Sequence, residues 1–423
     1  MKISLVSIGD ELLSGRTLNS NSRWLAHQLN SLGHQVVLGL TVPDIHVRII
    51  ESIEIAADKS DIVITTGGLG PTVDDRTREA FAEFVGADLK LNRELLSTLE
   101  KNFADRNIRM PKHVRREAMI PDGAITLHNS VGVAPGLYIQ TENGTHLIAL
   151  PGVPGEMKAI FEESLKPILL DLSGERPVGI ESFYTTGIPE SPLYKIVADS
   201  LGEPNMDNLA FYPSTLGVEV RIKIFDTPED RNVLATLRSA TEPWCYTRKE
   251  KSLPSILGNI LTARNATLST AESCTGGLIA TRIVDIPGAS KWFEGGAVVY
   301  SNRAKNSVLG LPNEILEQWG AVSPQVAAIL ADNAATRFNT DYALSTTGIA
   351  GPSGGTEEKP VGLVYYGVHT PKLTIVRKNR FTGGREYHRM HTSQAALHLL
   401  WLILENKYKE HPWADGSVET LHK

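Results

Sequence analysis

Apolar and polar positions change period repeatedly along the first 172 residues. KISLVSIG (2–9) is a short apolar run stopped by glycine, and QVVLGLTV (35–42) and DIVITTGG (61–68) are β-branched runs of strand length. Between them, SNSRWLAHQLNSLG (20–33) and HVRIIESIEIAADK (46–59) repeat apolar residues at helical spacing, the first with a Ser/Asn start and a Gly stop. This β-α-β-α-β order predicts a parallel sheet with right-handed crossovers and ligand sites at the C-terminal ends of its strands. A last helix, GEMKAIFEESLKPILLDL (155–172), is expected to close the domain.

After SGERPVG (173–179) the pattern shortens. IESFYTTGI, LAFYPSTLGVEVRIKIF and PEDRNVLATLRSATEPW predict a small α+β unit, and TRKEKSLP (247–254) reads as a linker. Beyond it ATLSTAES, GGAVVYS, YALSTTGIAG and GLVYYGVHT are strand-like, separated by helical stretches such as SPQVAAILADNAATRF (323–338). The expected class is α/β: two three-layer α/β domains, 1–172 and 251–410, joined by an α+β connecting domain at 173–250 and followed by a tail at 411–423.

Composition narrows the picture. A chain of 423 residues exceeds one ordinary core, which agrees with several domains. A net charge of −6 argues against a general electrostatic grip on nucleic acid. The basic tract Arg109, Lys112, His113, Arg115, Arg116 reads as a solvated helix face. Two cysteines build no disulfide framework and no zinc cluster. The start, MKISLVSIGDELL, turns acidic too early for a signal peptide, and no apolar run reaches the ~20 residues of a membrane span. A cytoplasmic protein without nucleic-acid or membrane partners is expected.

The candidate chemistry lies in LSTAESCTGGLIATRIV (268–284). Ser273 is expected at a strand-to-helix turn with Gly276 and Gly277 in the helix's first turn, near N–H groups that can hold an oxyanion or phosphate. An N-cap serine fits the same spacing. Cys274 is the weaker nucleophile candidate. Serine needs a base, and Lys305, after a strand that ends at Tyr300, could supply it if desolvated, with the tyrosine hydroxyl relaying the proton. A surface lysine and a packed tyrosine remain the alternative. STTGIAGPSGG (345–355) adds a glycine-rich loop of the kind whose amides cradle phosphate.

Taken in order, AESCTGG, VVYSNRAK and TTGIAGPSGG resemble the C-terminal domain of the CinA (competence/damage-inducible protein A) family, a nicotinamide mononucleotide (NMN) deamidase domain also found alone as PncC. The resemblance covers about 252–410. It implies metal-free hydrolysis of NMN to nicotinate mononucleotide and ammonia, with Ser273 attacking the amide carbon and Lys305 and Tyr300 handling the proton. It also implies substrate contacts from Glu272, Thr275, Gly276 and Gly277, and from Thr347, Gly348, Gly351, Gly354 and Gly355. Arg385 is the implied phosphate partner, with Arg380 and Arg389 as rivals.

In the first domain, Asp10 and Glu11 follow strand one, and Asp74 and Asp75 follow the turn that holds Gly67, Gly68 and Gly70. Carboxylates beside an anion-binding loop suit a metal-bridged diphosphate; an N-cap role for Asp74 is the alternative. GDELLSG, TTGGLGPTVDD and LPGVPGEM resemble the MoaB/MogA-like molybdopterin-binding fold in the form fused in CinA proteins. That resemblance implies an ADP-ribose pyrophosphatase using Mg²⁺ or a similar divalent metal. Asp74 and Asp75 would be catalytic or metal ligands, Asp10 a supporting ligand, and Gly67, Gly68 and Gly70 phosphate contacts. Val133 in NSVGVAPG departs from it, standing where a small hydroxyl residue is expected. GIPES (187–191) and YPSTLGVEVRI (212–222) match the family's connecting domain and carry no implied chemistry. Two other readings stay open: a pterin or molybdenum-cofactor role for the first domain, and an accessory binding role in recombination. A homodimer is expected.

Overall fold

The computed structural model describes residues 1–72, 74–105, 107–172, 179–202, 205–206, 208–224, 227–249, 251–413 and 418–422. Most of the SGERPVG junction therefore lies outside the described residues. The chain forms two compact units, Met1–Gly179 and Ile180–Lys423.

In the first unit, β1 (Lys2–Ile8), β2 (Gln35–Val42) and β3 (Ile62–Thr66) form the predicted parallel array. β4 (Leu89–Leu91) and β5 (Met119–Pro121) make a separate ribbon. β6 (Ile125–Leu127), β7 (Gly136–Gln140) and β8 (His146–Leu150) complete the main sheet in the order β2-β1-β3-β8-β7-β6. β8 joins β3 in parallel, whereas β7 and β6 run antiparallel. The short link between Gln140 and His146 explains the reversal, because it cannot carry the crossover that a parallel neighbour needs.

Alternation along β1 supplies two cores. Ile3 and Leu5 pack with Leu25, Leu29 and Phe161, while Val6 and Ile8 pack on the other face with Ile49, Ile53 and Phe81. The closing helix runs from Pro154 to Leu172 with a π-helical turn at Phe161–Leu165.

The second unit opens with β9 (Gly179–Thr185), β10 (Leu209–Ser214), β11 (Gly217–Ile224) and β12 (Cys245–Thr247), in the order β10-β11-β9-β12. The six-stranded sheet of the last domain contains β13 (Leu268–Glu272), β14 (Phe293–Val298), β15 (Tyr342–Gly348), β16 (Leu363–His369), β17 (Thr374–Arg380) and β18 (Val418–His422). β14, β13 and β15 are parallel, and β16, β17 and β18 continue antiparallel from β15. The stretch 411–423, expected as a tail, thus contributes the edge strand that pairs with β17.

Candidate active site

β13 is buried along its whole length and delivers Ser273 to the C-terminal edge of the sheet. The Ser273 N–H donates to Thr346 O and its carbonyl accepts from Gly276 N, which fixes the turn. Gly276 and Gly277 have φ of +61° and +90°, a conformation that side chains resist, and the helix Leu278–Val284 starts only after them. The glycines therefore shape the approach to the helix and do not form its first turn.

Lys305 comes from the helix Asn302–Leu309, which Ser301 caps. The side chain is 1% exposed, and Nζ donates to Ser273 Oγ at 3.0 Å and to Val299 O at 3.0 Å. Burial pulls the ammonium below the ordinary lysine range, and among the described residues no carboxylate partner offsets the lost hydration. Cys274 is buried beside it with its thiol pushed up to about 12 by desolvation, which leaves it protonated and inert.

Tyr300 departs from its expected role. Lys305 Nζ reaches the Tyr300 carbonyl at 3.3 Å, and the phenol hydroxyl instead accepts from Arg385 at 2.9 Å. Tyr300 lies two residues beyond the end of β14 and is exposed, so its ring points away from the lysine's buried path. Arg385 also donates to Gly351 O, clasping the glycine-rich loop, and Arg389 donates twice to Thr275 O. Arg380 does not join them and lines a separate cavity.

Three implied substrate contacts spend their side chains inside the fold. Glu272, 1% exposed, accepts from Ile279 N at 3.0 Å and Ala280 N at 2.8 Å, anchoring the helix that follows the serine turn. The Thr275 hydroxyl pairs with Thr346 and the Thr347 hydroxyl donates to Ala321 O. These positions can offer a substrate only backbone. Gly348 closes β15 against Val364, Gly351 presents its carbonyl to Arg385, and Gly354 and Gly355 lie exposed on the outer loop.

In the first unit, Gly67 has φ +104°, and a Cβ there would stand 2.3 Å from Ile8 O. Added Cβ atoms at Gly68 and Gly70 would meet Thr77 and Asp75. Buried Arg78 donates to Leu69 O and Gly70 O, and Arg116 donates to Thr72 O, Asp75 O and Glu79. Arg116 is thus a structural clasp, not part of a solvated face. Helix Thr77–Val85 has no side-chain cap, so Asp74 does not fill the capping role. Asp74 is exposed and held below the usual carboxylate range by Thr72, whereas Asp75 accepts from the Thr72 N–H at 2.8 Å.

Asp44, missed in the sequence, accepts from Asp10 N, and its carboxyl is raised by burial and by the charges of Asp10, Glu11 and Asp74. Such oxygens are chemically suited to a divalent cation. Among the described residues, however, no three such side chains converge as metal ligands, and Asp75 is turned toward Thr72. The residues as placed do not fit the implied metal. Glu117, 3% exposed behind this loop, is pushed up to about 7 by desolvation.

Fold and site together define an α/β protein carrying a buried Ser–Lys pair at a strand end. The model of the CinA C-terminal domain matches residues 250–404, and that described as "Probable molybdopterin binding domain" matches 4–171. A relative from Caldicellulosiruptor bescii is 39% identical over 406 residues, covering 95% of this chain and 98% of its own. A CinA-like protein of Dictyoglomus thermophilum is 38% identical over 406 residues, covering 95% and 98%. The crystal structure of "the protein CinA with unknown function" from Thermoplasma acidophilum is 36% identical, covers 40% of this chain and 97% of that one, and has a TM-score of 0.37. The chain belongs to the CinA family. No helix among the described residues is long and apolar enough to cross a membrane.

Proposed function

We propose that the last domain hydrolyses the carboxamide of NMN to nicotinate mononucleotide and ammonia. The observation that carries this reading is the 3.0 Å bond from a buried, counterion-free amine to the Ser273 hydroxyl. In its neutral form Lys305 takes the hydroxyl proton as Oγ bonds to the amide carbon. The tetrahedral intermediate then collapses as Lys305 returns that proton to the leaving nitrogen, releasing ammonia and leaving an ester on Ser273. A water molecule, deprotonated by the same amine, attacks the ester, and Lys305 returns that proton to Ser273 Oγ as nicotinate mononucleotide leaves. Tyr300 takes no proton in this scheme; it holds Arg385, whose guanidinium suits the substrate phosphate.

Incubation of the full chain with NMN in the presence of a chelator tests the reading. Ammonia release that disappears in Ser273→Ala supports it. Intact NMN after prolonged incubation, or release that survives Ser273→Ala, overturns it, and survival of a partner-binding phenotype would then favour an accessory role.

The first domain supports a second reading, cleavage of ADP-ribose to AMP and ribose 5-phosphate, favoured by the shared field of Asp10, Asp44 and Asp74 at the strand ends. No step is assigned to a metal there. AMP release from ADP-ribose is the expected result, and its absence would favour a pterin-binding domain.

A further inference from the structure

A cavity of about 320 Å³ opens inside the second unit, between the β9–β12 sheet and the helix Arg385–Leu404. None of the chemistry above uses it. Its walls come from the loop after β9, the β10–β11 hairpin, the end of β17 with the residues that follow it, and one face of that helix. At about 100° per residue, Arg385 and Arg389 share a stripe directed at the serine turn, whereas Tyr387, His391, Gln394 and His398 fall on the opposite side. One helix therefore serves two sites.

The interior is polar in a specific way. His398 is 2% exposed and its Nε2 has no hydrogen-bond partner among the described residues; the buried Nε2 of His391 has none among them either. Native interiors seldom strand such atoms, so two along one wall mark a place where a ligand completes the bonding. Tyr387 stacks on His391 with ring centroids 3.9 Å apart at 31°, and Phe381 lies 5.3 Å from the same ring. Burial lowers both imidazoles, His391 to about 4, with His388 reinforcing the effect at His391 and His411 at His398. Near neutral pH the wall is uncharged, each ring offering one donor and one acceptor. Arg380 stands exposed on the lining, its guanidinium without a partner among the described residues, and Glu190 is also part of the wall.

We infer that this cavity is a second ligand site that takes a nucleoside monophosphate. The planar heterocycle suits the aromatic, uncharged histidine wall, which reads a donor–acceptor edge but gives a buried phosphate no cation. Arg380 supplies the cation at the exposed part of the lining, and the Glu190 carboxylate can accept from ribose hydroxyls.

Photolabelling of the full chain with 8-azidoadenosine 5′-monophosphate, followed by peptide mapping, tests the inference. Label is expected within residues 379–398, suppressed by excess AMP and at least tenfold less well by adenosine, which lacks the group that Arg380 would bind. Ribose 5-phosphate should not compete at equal concentration. His391→Phe should lower labelling of this segment at least tenfold, and His391→Gln should restore part of it, both with an unchanged circular dichroism spectrum. Residue-level mapping separates label on Tyr387, His391 or His398, which line this cavity, from label on Arg385 or Arg389 alone, which face the serine turn. The latter would overturn the proposal, so the wild-type map still decides the matter should a variant misfold. Label absent from 379–398, or unaltered in a folded His391→Phe, overturns the proposal; label on the first domain alone does so as well.

Discussion

Ser273 and Asp74 hold matching places, each beyond a buried parallel strand and beside a paired-glycine turn, yet the two turns are built in opposite ways. At the serine turn the Ser273–Lys305 pair is dry, and the single amine has no carboxylate partner among the described residues. At the aspartate turn the arginines are structural, buried Arg78 and half-buried Arg116 holding loop carbonyls, while the candidate carboxylates face water and one another. Desolvation tunes the first site and like-charge crowding the second. The first is assembled as it stands; the second has its carboxylates gathered but not converged.

The largest effects belong to the dry pair. Ser273→Ala should reduce ammonia release from NMN by about 10³-fold or more, the scale of a lost nucleophile. Lys305→Met should cost about 10²–10⁴-fold, the range of general acid–base catalysis, while leaving the fold intact. Its packing volume is kept and a buried amine without a carboxylate partner among the described residues is removed, at the cost of the bond to Val299 O. A Lys305→Met enzyme with full turnover would move the base elsewhere.

The pH dependence of stability separates the two domains by sign. The folded-state pKa of Lys305 lies below its unfolded value, so between the two the unfolded chain binds more protons and stability rises with pH. The contribution is complete above the ordinary lysine range and is lost as pH falls through the lowered value. Turnover, which needs the neutral amine, should rise over the same limb. Glu117 runs the other way: raised from 4.5 to about 7, it favours the folded state at acid pH, and that contribution is lost as pH rises through about 7. Thermal melts of Lys305→Met and Glu117→Gln should each lose the corresponding slope. Equal slopes in wild type and variant would show that neither group titrates as the fold dictates.

Glu272→Gln should come next. One of its two backbone contacts is lost and the amide NH₂ is turned toward an N–H, costing about 1–3 kcal/mol of stability. Because the same helix follows the serine turn, kcat for NMN should fall with little change in KM, a split that kinetics on the folded variant would read directly.

How much of this was readable beforehand follows from the range of the interactions. Ser273 at a strand end and Lys305 on the helix after β14 were legible because apolar period and glycine position report local structure. The fate of Glu272, Thr275 and Thr347 was not, because their partners are set by packing between elements and leave no mark on spacing. Arg116 read as solvated because a charge run looks alike whether it faces water or clasps a loop from 41 residues away. Asp44 stands alone in its sequence, and only β1 and β2 lying side by side bring it to Asp10. The strand at 418–422 has too few residues to show a period, and its pairing with β17 is a tertiary fact.

The smallest effect is the most direct probe of the aspartate turn. Asp44 accepts the Asp10 N–H while burial and three neighbouring carboxylates raise its pKa, so near neutral pH its charge works against the fold. Asn keeps the acceptor oxygen and removes the charge. Asp44→Asn should therefore raise the melting temperature of the first transition by about 1–3 °C at low salt. The gain should shrink as salt screens the field and vanish at acid pH, where the wild-type carboxyl is already protonated. A divalent cation that gathers these carboxylates would stabilise wild type more than the variant and reverse their order. The order staying fixed over millimolar Mg²⁺ and Mn²⁺ would mean that the crowded charges are a feature of the fold alone, and that a pyrophosphatase reading must find its catalytic groups elsewhere.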